Sequence, residues 1–271
     1  FEQEFNCKVE YDSSFPWFAK FVAGGVDNPP FDAAHWNLPD LFKTARAGDF
    51  FVPMEELEAN VPQAADLWPF SRQSGLGLTI LYSGYGYGYR TDTVDPVPTT
   101  FREFWDERFA DKRATYITSN TLQMVFFMMA AQEFSGDPHN IEAGVQAMRD
   151  AMPMKISDFT GNMTALLERG EVDICVQTDG EILSAIDRGL PFGWMTWPDM
   201  NPVLTQTKTV SKGSSDLRKR LAYAYIDRAC SPEFQEAMGR DIYMRPTNRN
   251  ATVFEGMAAQ GVTNEEESAS T

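Results

Sequence analysis

The chain has 271 residues, of which 43% are hydrophobic and 23% charged, and its formal net charge is −16. That length suits two αβ lobes and buries enough apolar surface to fold without disulfide or metal staples. The acidic balance repels phosphate backbones and anionic lipid surfaces, so nucleic-acid binding is not expected; a cationic ligand is permitted but not implied.

The three cysteines, Cys7, Cys175 and Cys230, match no zinc-binding spacing, and an odd count leaves at least one free thiol. A Cys7–Cys230 bridge and buried free thiols both remain open. The two histidines, His35 and His139, have no H-x-x-x-H partner, so no metal site is expected. No stretch of about 18 apolar residues is present to span a membrane. The opening Phe1-Glu2-Gln3-Glu4-Phe5 reads as the end of a helix with no signal peptide ahead of it, which suits a truncated or processed chain.

In chain order, Lys8 to Tyr11 reads as a short strand, and Pro16 opens a helix running from Trp17 to Ala23 and ending at Gly24-Gly25. Phe31 to Trp36 reads as a second strand. Asn37-Leu38-Pro39 opens a helix through Arg46, closed by Gly48. This alternation predicts an α/β lobe. Leu76 to Leu81 leads into Tyr82-Ser83-Gly84-Tyr85-Gly86-Tyr87-Gly88-Tyr89-Arg90. Read at period two, Tyr85, Tyr87 and Tyr89 share one strand face and Gly84, Gly86 and Gly88 the other. A phosphate loop fits less well, because the spacing is GxGxG and no helix follows. Glycine weakens a strand unless a bulge, a backbone or a ligand needs the space.

After the break at Asp95-Pro96-Val97-Pro98, Thr99 or Thr100 caps a short amphipathic helix over TFREFWDERF. A strand over Ala114 to Thr118 and helices over Leu122 to Phe134 and Asn140 to Met152 follow. Next come a helix within Ser157 to Arg169, a buried strand over Val172 to Val176, and a helix over Glu181 to Arg188. Thr205 to Val210 alternates as a strand, Leu217 to Arg228 is helical, and Ser231-Pro232-Glu233 starts a further helix with Ser as cap. The tail Asn264 to Ser268 reads as a solvated, frayed end.

Five stretches in this order resemble the extracellular solute-binding proteins of ABC importers, in their spermidine/putrescine-binding-like branch. They are FEQEFNCKVEY, YSGYGYGYRTD, VPTTFREFWDERFADKRAT, LLERGEVDICVQTDGEI and IDRACSPEFQEAMGRDIYMRPTN. The resemblance implies an α/β fold of two lobes joined by crossing strands, type II periplasmic-binding-protein-like. Lobe 1 would be residues 1–92, lobe 2 residues 93–201, and residues 202–271 would return to lobe 1 and form the tail. It implies a periplasmic monomer that is not an enzyme, carries no cofactor, clamps one small molecule between its lobes and hands it to a membrane permease. The family's leading strand and secretion signal have no counterpart in the sequence.

The same resemblance assigns the cleft. The glycine–tyrosine segment would line it, with Tyr82 and Tyr85 as wall residues, although each ring can equally pack in the lobe core. Polyamine binders need carboxylates, because a desolvated ammonium is costly unless paired. Where the family places acids, this chain has the amides Asn120, Gln123 and Gln206; where it has a tryptophan, Thr178 stands. Amides donate as well as accept, so a neutral, zwitterionic or acidic ligand is expected over a simple diamine. Asp179 remains to serve one cation. Aromatic boxing of a quaternary ammonium by Trp17, Trp36 and the tyrosines is the alternative. Ser13, Ser14, Trp36 and Asn37 follow lobe-1 strands, and Thr160 and Asn162 begin a lobe-2 helix whose free amides favour an anion, although Ser and Asn there are commonly caps. An enzyme, a ligand sensor and an iron binder on the same fold are the rivals; neither a Gly-x-Ser-x-Gly motif nor a nucleophile–base pair supports the first.

Overall fold

The structure, a computed structural model, describes residues 1–14, 17–197, 200 and 202–265. Its strands among the described residues are β1 (Ala33–Trp36), β2 (Leu78–Arg90), β3 (Arg113–Tyr116), β4 (Lys155–Ser157), β5 (Ile174–Thr178), β6 (Phe192–Thr196), β7 (Val203–Val210) and β8 (Arg245–Pro246). The fold is mixed α/β, built on a mixed sheet.

The organising element is β2, thirteen residues long and buried along almost its whole length. From Leu78 to Gly84 it pairs antiparallel with β7, and at Leu81 and Tyr82 with β8. From Tyr85 to Arg90 its neighbours are β5 and β6. One strand therefore leaves one set of partners at Gly84 and joins another at Tyr85. The first set is completed by β1, which pairs with β7. The second is completed by β3 and β4, parallel to each other, with β3 also parallel to β5. The chain crosses back between β6 and β7, where the Tyr85 N–H donates to the Pro202 carbonyl at 2.9 Å. Two lobes on one continuous sheet follow from these pairings.

Each lobe has its own core. In the first, Leu57, Leu78, Ile80 and Ile226 pack together, beside an aromatic group of Phe21, Trp36, Phe50 and Phe51. In the second, Tyr87, Phe101, Phe104, Phe126 and Trp197 join Ile174, Val176 and Ile182. The tyrosine face of β2 supplies the second core, so the period-two reading holds. The glycine face serves close approach within the protein. A Cβ on Gly88 would lie 2.3 Å from Ile182 Cδ1, and one on Gly86 2.1 Å from the Met195 carbonyl oxygen.

Local signals behave as their chemistry requires. Asn120 caps helix Thr121–Ser135 by accepting from the Leu122 N–H at 2.8 Å, and Gly136 ends it at φ 76. Ser231 caps Pro232–Ile242, accepting from the Phe234 N–H. Glu103 accepts from the N–H groups of Thr99 and Thr100, although the helix expected there is two 3-10 segments, Phe101–Trp105 and Glu107–Phe109. Helix Met54–Asn60 and strands β4, β6 and β8 lack a sequence signal strong enough to be anticipated.

One expected strand is not formed. Lys8 to Tyr11 carries no ladder, because β1 pairs only with β7 among the described residues and a groove separates the segment from β1. A strand exists only where a neighbour takes its N–H and C=O groups. The cysteines are all free, with Cys175 and Cys230 buried and Cys7 half-buried, so no Cys7–Cys230 bridge forms. No helix among the described residues is long and apolar enough to cross a membrane.

Candidate functional site

The residues the sequence nominated fall into three places. The first is a pocket of about 560 Å³ on the lobe-1 side, bordered by Asp12, His35, Asn37, Gln206, Lys208 and Tyr225 among others. Asn37 and Gln206 meet there because Asn37 follows β1 and Gln206 lies on its neighbour β7. Gln206 Oε1 contacts the His35 ring. Burial and the nearby Lys208 ammonium push the His35 pKa down to about 4. Lys208 Nζ donates to the Tyr225 hydroxyl at 3.2 Å and lies 5.1 Å from that ring centroid. No described carboxylate forms an ion pair with it. Ser13 and Ser14 follow Asp12 and are exposed; the Ser14 N–H donates to Asp12 at 2.8 Å. Trp36 instead points into the aromatic core, fully buried, its indole N–H donating to Thr209 Oγ1 at 2.8 Å.

The second place is the junction at Gly84. Asp179, at the start of helix Asp179–Asp187, is fully buried. Its Oδ1 accepts from the Gly84 N–H at 3.0 Å and the Gly180 N–H at 2.7 Å, and its Oδ2 from Arg245 Nε at 2.6 Å. Burial raises the carboxyl above its ordinary value, and Arg245 with the two amides pulls it back. The Arg245 guanidinium also sits 5.8 Å from the Tyr82 ring centroid. Tyr82 is buried against Phe70. Thr178, also buried, precedes Asp179 as the helix's first flanking residue.

The third place is the lobe-2 side. Gln123 is buried, accepting from Tyr116 N–H at 3.1 Å and from the Thr115 hydroxyl, with Nε2 on Met148 sulfur at 3.4 Å. Asn120 spends both ends of its amide, on Leu122 N–H and on the Asp158 carbonyl at 2.9 Å. Thr160, opening helix Thr160–Glu168, donates to Glu181 Oε1 at 2.8 Å, and Asn162 donates to Asp158 Oδ1 at 2.7 Å. Acids of the chain itself thus stand at that helix N-terminus. Tyr85 is buried and stacks on Trp197 at 6.5 Å; its hydroxyl has no hydrogen-bond partner among the described residues, and burial raises its pKa.

Among the side chains at these places, Lys208, Tyr225, Glu181 and Arg245 carry no sequence nomination. Glu181, two residues beyond Asp179, lies on a different face of the same helix and meets Thr160 instead of Arg245. Arg245 and Lys208 owe their positions to pairing across the sheet, which leaves no local trace.

No curated protein matches the chain significantly by sequence. Among solved structures, an extracellular solute-binding protein from Bordetella parapertussis is similar at 22% identity and TM-score 0.77, over 94% of this chain and 81% of that one. The spermidine/putrescine substrate-binding protein of the Streptococcus pneumoniae ABC transporter is similar at 15% identity and TM-score 0.72, over 91% and 77%. The periplasmic binding protein AfuA of Actinobacillus pleuropneumoniae, solved with fructose-6-phosphate, gives 15% and 0.74, over 94% and 81%. At these identities the likenesses establish the type II periplasmic-binding-protein fold and leave the ligand open. Residues 1–260 match the profile of the bacterial extracellular solute-binding proteins. The chain therefore belongs to that family, whose members bind solutes rather than transform them.

Proposed function

We propose that the protein is the periplasmic solute-binding component of an ABC importer, a monomer that captures one small polar molecule between its lobes and presents it to a membrane permease. The observation that carries this reading is the change of partners along β2 at Gly84, where one strand passes from the first lobe into the second. Such a joint suits hinge closure, with a ligand that bridges both lobes shifting the population to closed. On this reading one lobe comprises residues 1–92 and 202–271 and the other residues 93–201, with β2 running across the boundary.

The ligand is proposed to be neutral, zwitterionic or acidic, and not a simple diamine. Support comes from Asp179, the acid nearest the junction, whose oxygens are spent on Arg245, Gly84 and Gly180. Lys208, with no ion-pair partner among the described carboxylates, favours the same direction. Asn37 and Gln206 are the proposed lobe-1 contacts, with Ser13 and Ser14 at the rim, and Thr160 the proposed lobe-2 contact. A second reading, a polyamine or quaternary-ammonium ligand, is favoured by Glu181, a half-exposed carboxylate beside Thr160.

A thermal-shift panel of putrescine, spermidine, betaines, amino acids, small carboxylates, phosphonates and iron(III) tests this. A ligand bound only by the folded state adds about 2.7 kcal/mol at a hundredfold excess over Kd, or roughly 5–10 °C for a chain of this size. A shift with a zwitterion or carboxylate is expected. A shift only with putrescine or spermidine moves the assignment to Glu181. Small-angle scattering without compaction at saturation by the active compound refutes lobe closure.

A further inference from the structure

Helix Asp179–Asp187 belongs to the second lobe, yet the first lobe holds it at both ends. At its N-terminus Asp179 takes Arg245 of β8 and the Gly84 N–H, at the point where β2 changes partners. Gly180 leaves no room for a side chain, since a Cβ would lie 2.6 Å from the Tyr243 carbonyl oxygen and 3.4 Å from that of Ile242. The helix's first turn therefore rides directly on the backbone leading into β8. At its C-terminus Asp187 accepts from the Tyr243 hydroxyl. Between the two ends Leu183 packs against Tyr243, Met257 and Val262. A nine-residue helix is roughly 13 Å long, so both ends and the middle are fixed by one short segment.

We propose that the segment Tyr243–Arg245 is the fixed pivot of the interlobe hinge and that Asp179 is a positioning residue, confining the lobes to one axis of rotation rather than touching ligand. This rests on the hinge reading above and adds to it which contacts persist. The geometry explains why. β2 changes partners at Gly84, and Asp179 and Arg245 meet beside it, where a Cβ on Gly84 would lie 3.3 Å from Asp179 Oδ2 and 3.5 Å from Arg245 Nη2. Groups beside a rotation axis have almost no lever arm, so closure leaves them in contact while distant surfaces sweep together. An ion pair this buried is weak evidence for stability, and its attested use is in specifying one arrangement over others.

The test is an interlobe distance distribution from spin labels at Arg46→Cys and Glu142→Cys, both exposed positions on opposite lobes, in a Cys7→Ser background. The full chain is used without ligand. Asp179→Asn and Tyr243→Phe are compared with Tyr87→Phe, which removes a hydroxyl bond to the Phe101 carbonyl within one lobe. Expected is a distribution about twofold wider, or displaced, in both clamp variants, while Tyr87→Phe lowers Tm and leaves the distances in place. Unchanged distances in the clamp variants, or equal broadening in Tyr87→Phe, overturn the proposal. If Asp179→Asn does not fold, Tyr243→Phe decides it, because only one hydroxyl is lost. A silent ligand panel would count against solute capture and leave this result untouched.

Discussion

Replacing Gly86 with alanine puts one methyl group on the bare face of β2, where the neighbour is backbone. The added Cβ would lie 2.1 Å from the Met195 carbonyl oxygen and 2.9 Å from the Trp194 ring. To reach even 3.0 Å, β6 must retreat by about 0.9 Å from a strand with which it shares the ladder from Gly86 to Arg90. Overpacking costs about 1–3 kcal/mol when side chains can give way, and more when they cannot. Here the obstacle cannot rotate aside, so about 3 kcal/mol or more is expected, lowering Tm by roughly 6–12 °C. Gly88→Ala is the internal comparison. Its obstacles are Ile182 Cδ1 at 2.3 Å and Cγ1 at 2.7 Å, side-chain atoms rather than backbone. Its cost should stay near 1–2 kcal/mol. Urea unfolding of the three proteins, followed by tryptophan fluorescence, gives both values. A Gly86→Ala midpoint equal to the parent's, or a larger loss in Gly88→Ala, would refute the close-approach account.

Other outcomes follow from buried groups. The His35 pKa lies at about 4 in the fold against 6.5 unfolded, so the unfolded chain takes up a proton first as pH falls. Stability contributed by the neutral ring is complete above pH 6.5 and is lost down to about 4, on the order of 3 kcal/mol in all; His35→Gln should flatten that part of the urea-midpoint profile, and an unchanged slope would contradict it. Trp36→Ala should cost about 3–5 kcal/mol as a core truncation, read by chemical denaturation; a near-neutral effect would return this ring to the ligand wall. In native protein a thiol reagent should modify Cys7 and spare Cys175 and Cys230, whose burial raises their pKa values. Rapid reaction of all three would contradict the packing described.

What could be read beforehand depended on whether a signal was local. Ser231 and Pro232 mark a helix start within a few residues of themselves, and that helix begins where expected, whereas Asn120, expected as a ligand contact, is the cap of its helix. The alternation in β2 reports its two faces without any knowledge of its partners. Lys8 to Tyr11 has the composition of a strand, but pairing is a property of two segments and no described neighbour supplies the second. The candidate site was hardest. Trp36 and Gln123 have the chemistry of ligand contacts, but bonds to Thr209, Thr115 and Tyr116 turn them inward. Arg245 gains its place only through β8 pairing with Tyr82, long after Tyr82 appears in the chain.

The pairing of His35 with Lys208 carries a consequence for the order of folding. β1 gains its ladder, and the first half of β2 most of its own, only when residues 203–210 arrive. The second lobe's strands, from Tyr85 to Thr196, are nearly consecutive and close shorter loops, which form faster. A chain emerging in order must therefore hold its earliest residues unfinished while a later portion matures. Pulsed hydrogen exchange during refolding should protect the Val176 amide before that of Leu81. A first lobe that waits for strand β7 is a built-in delay in completing the fold.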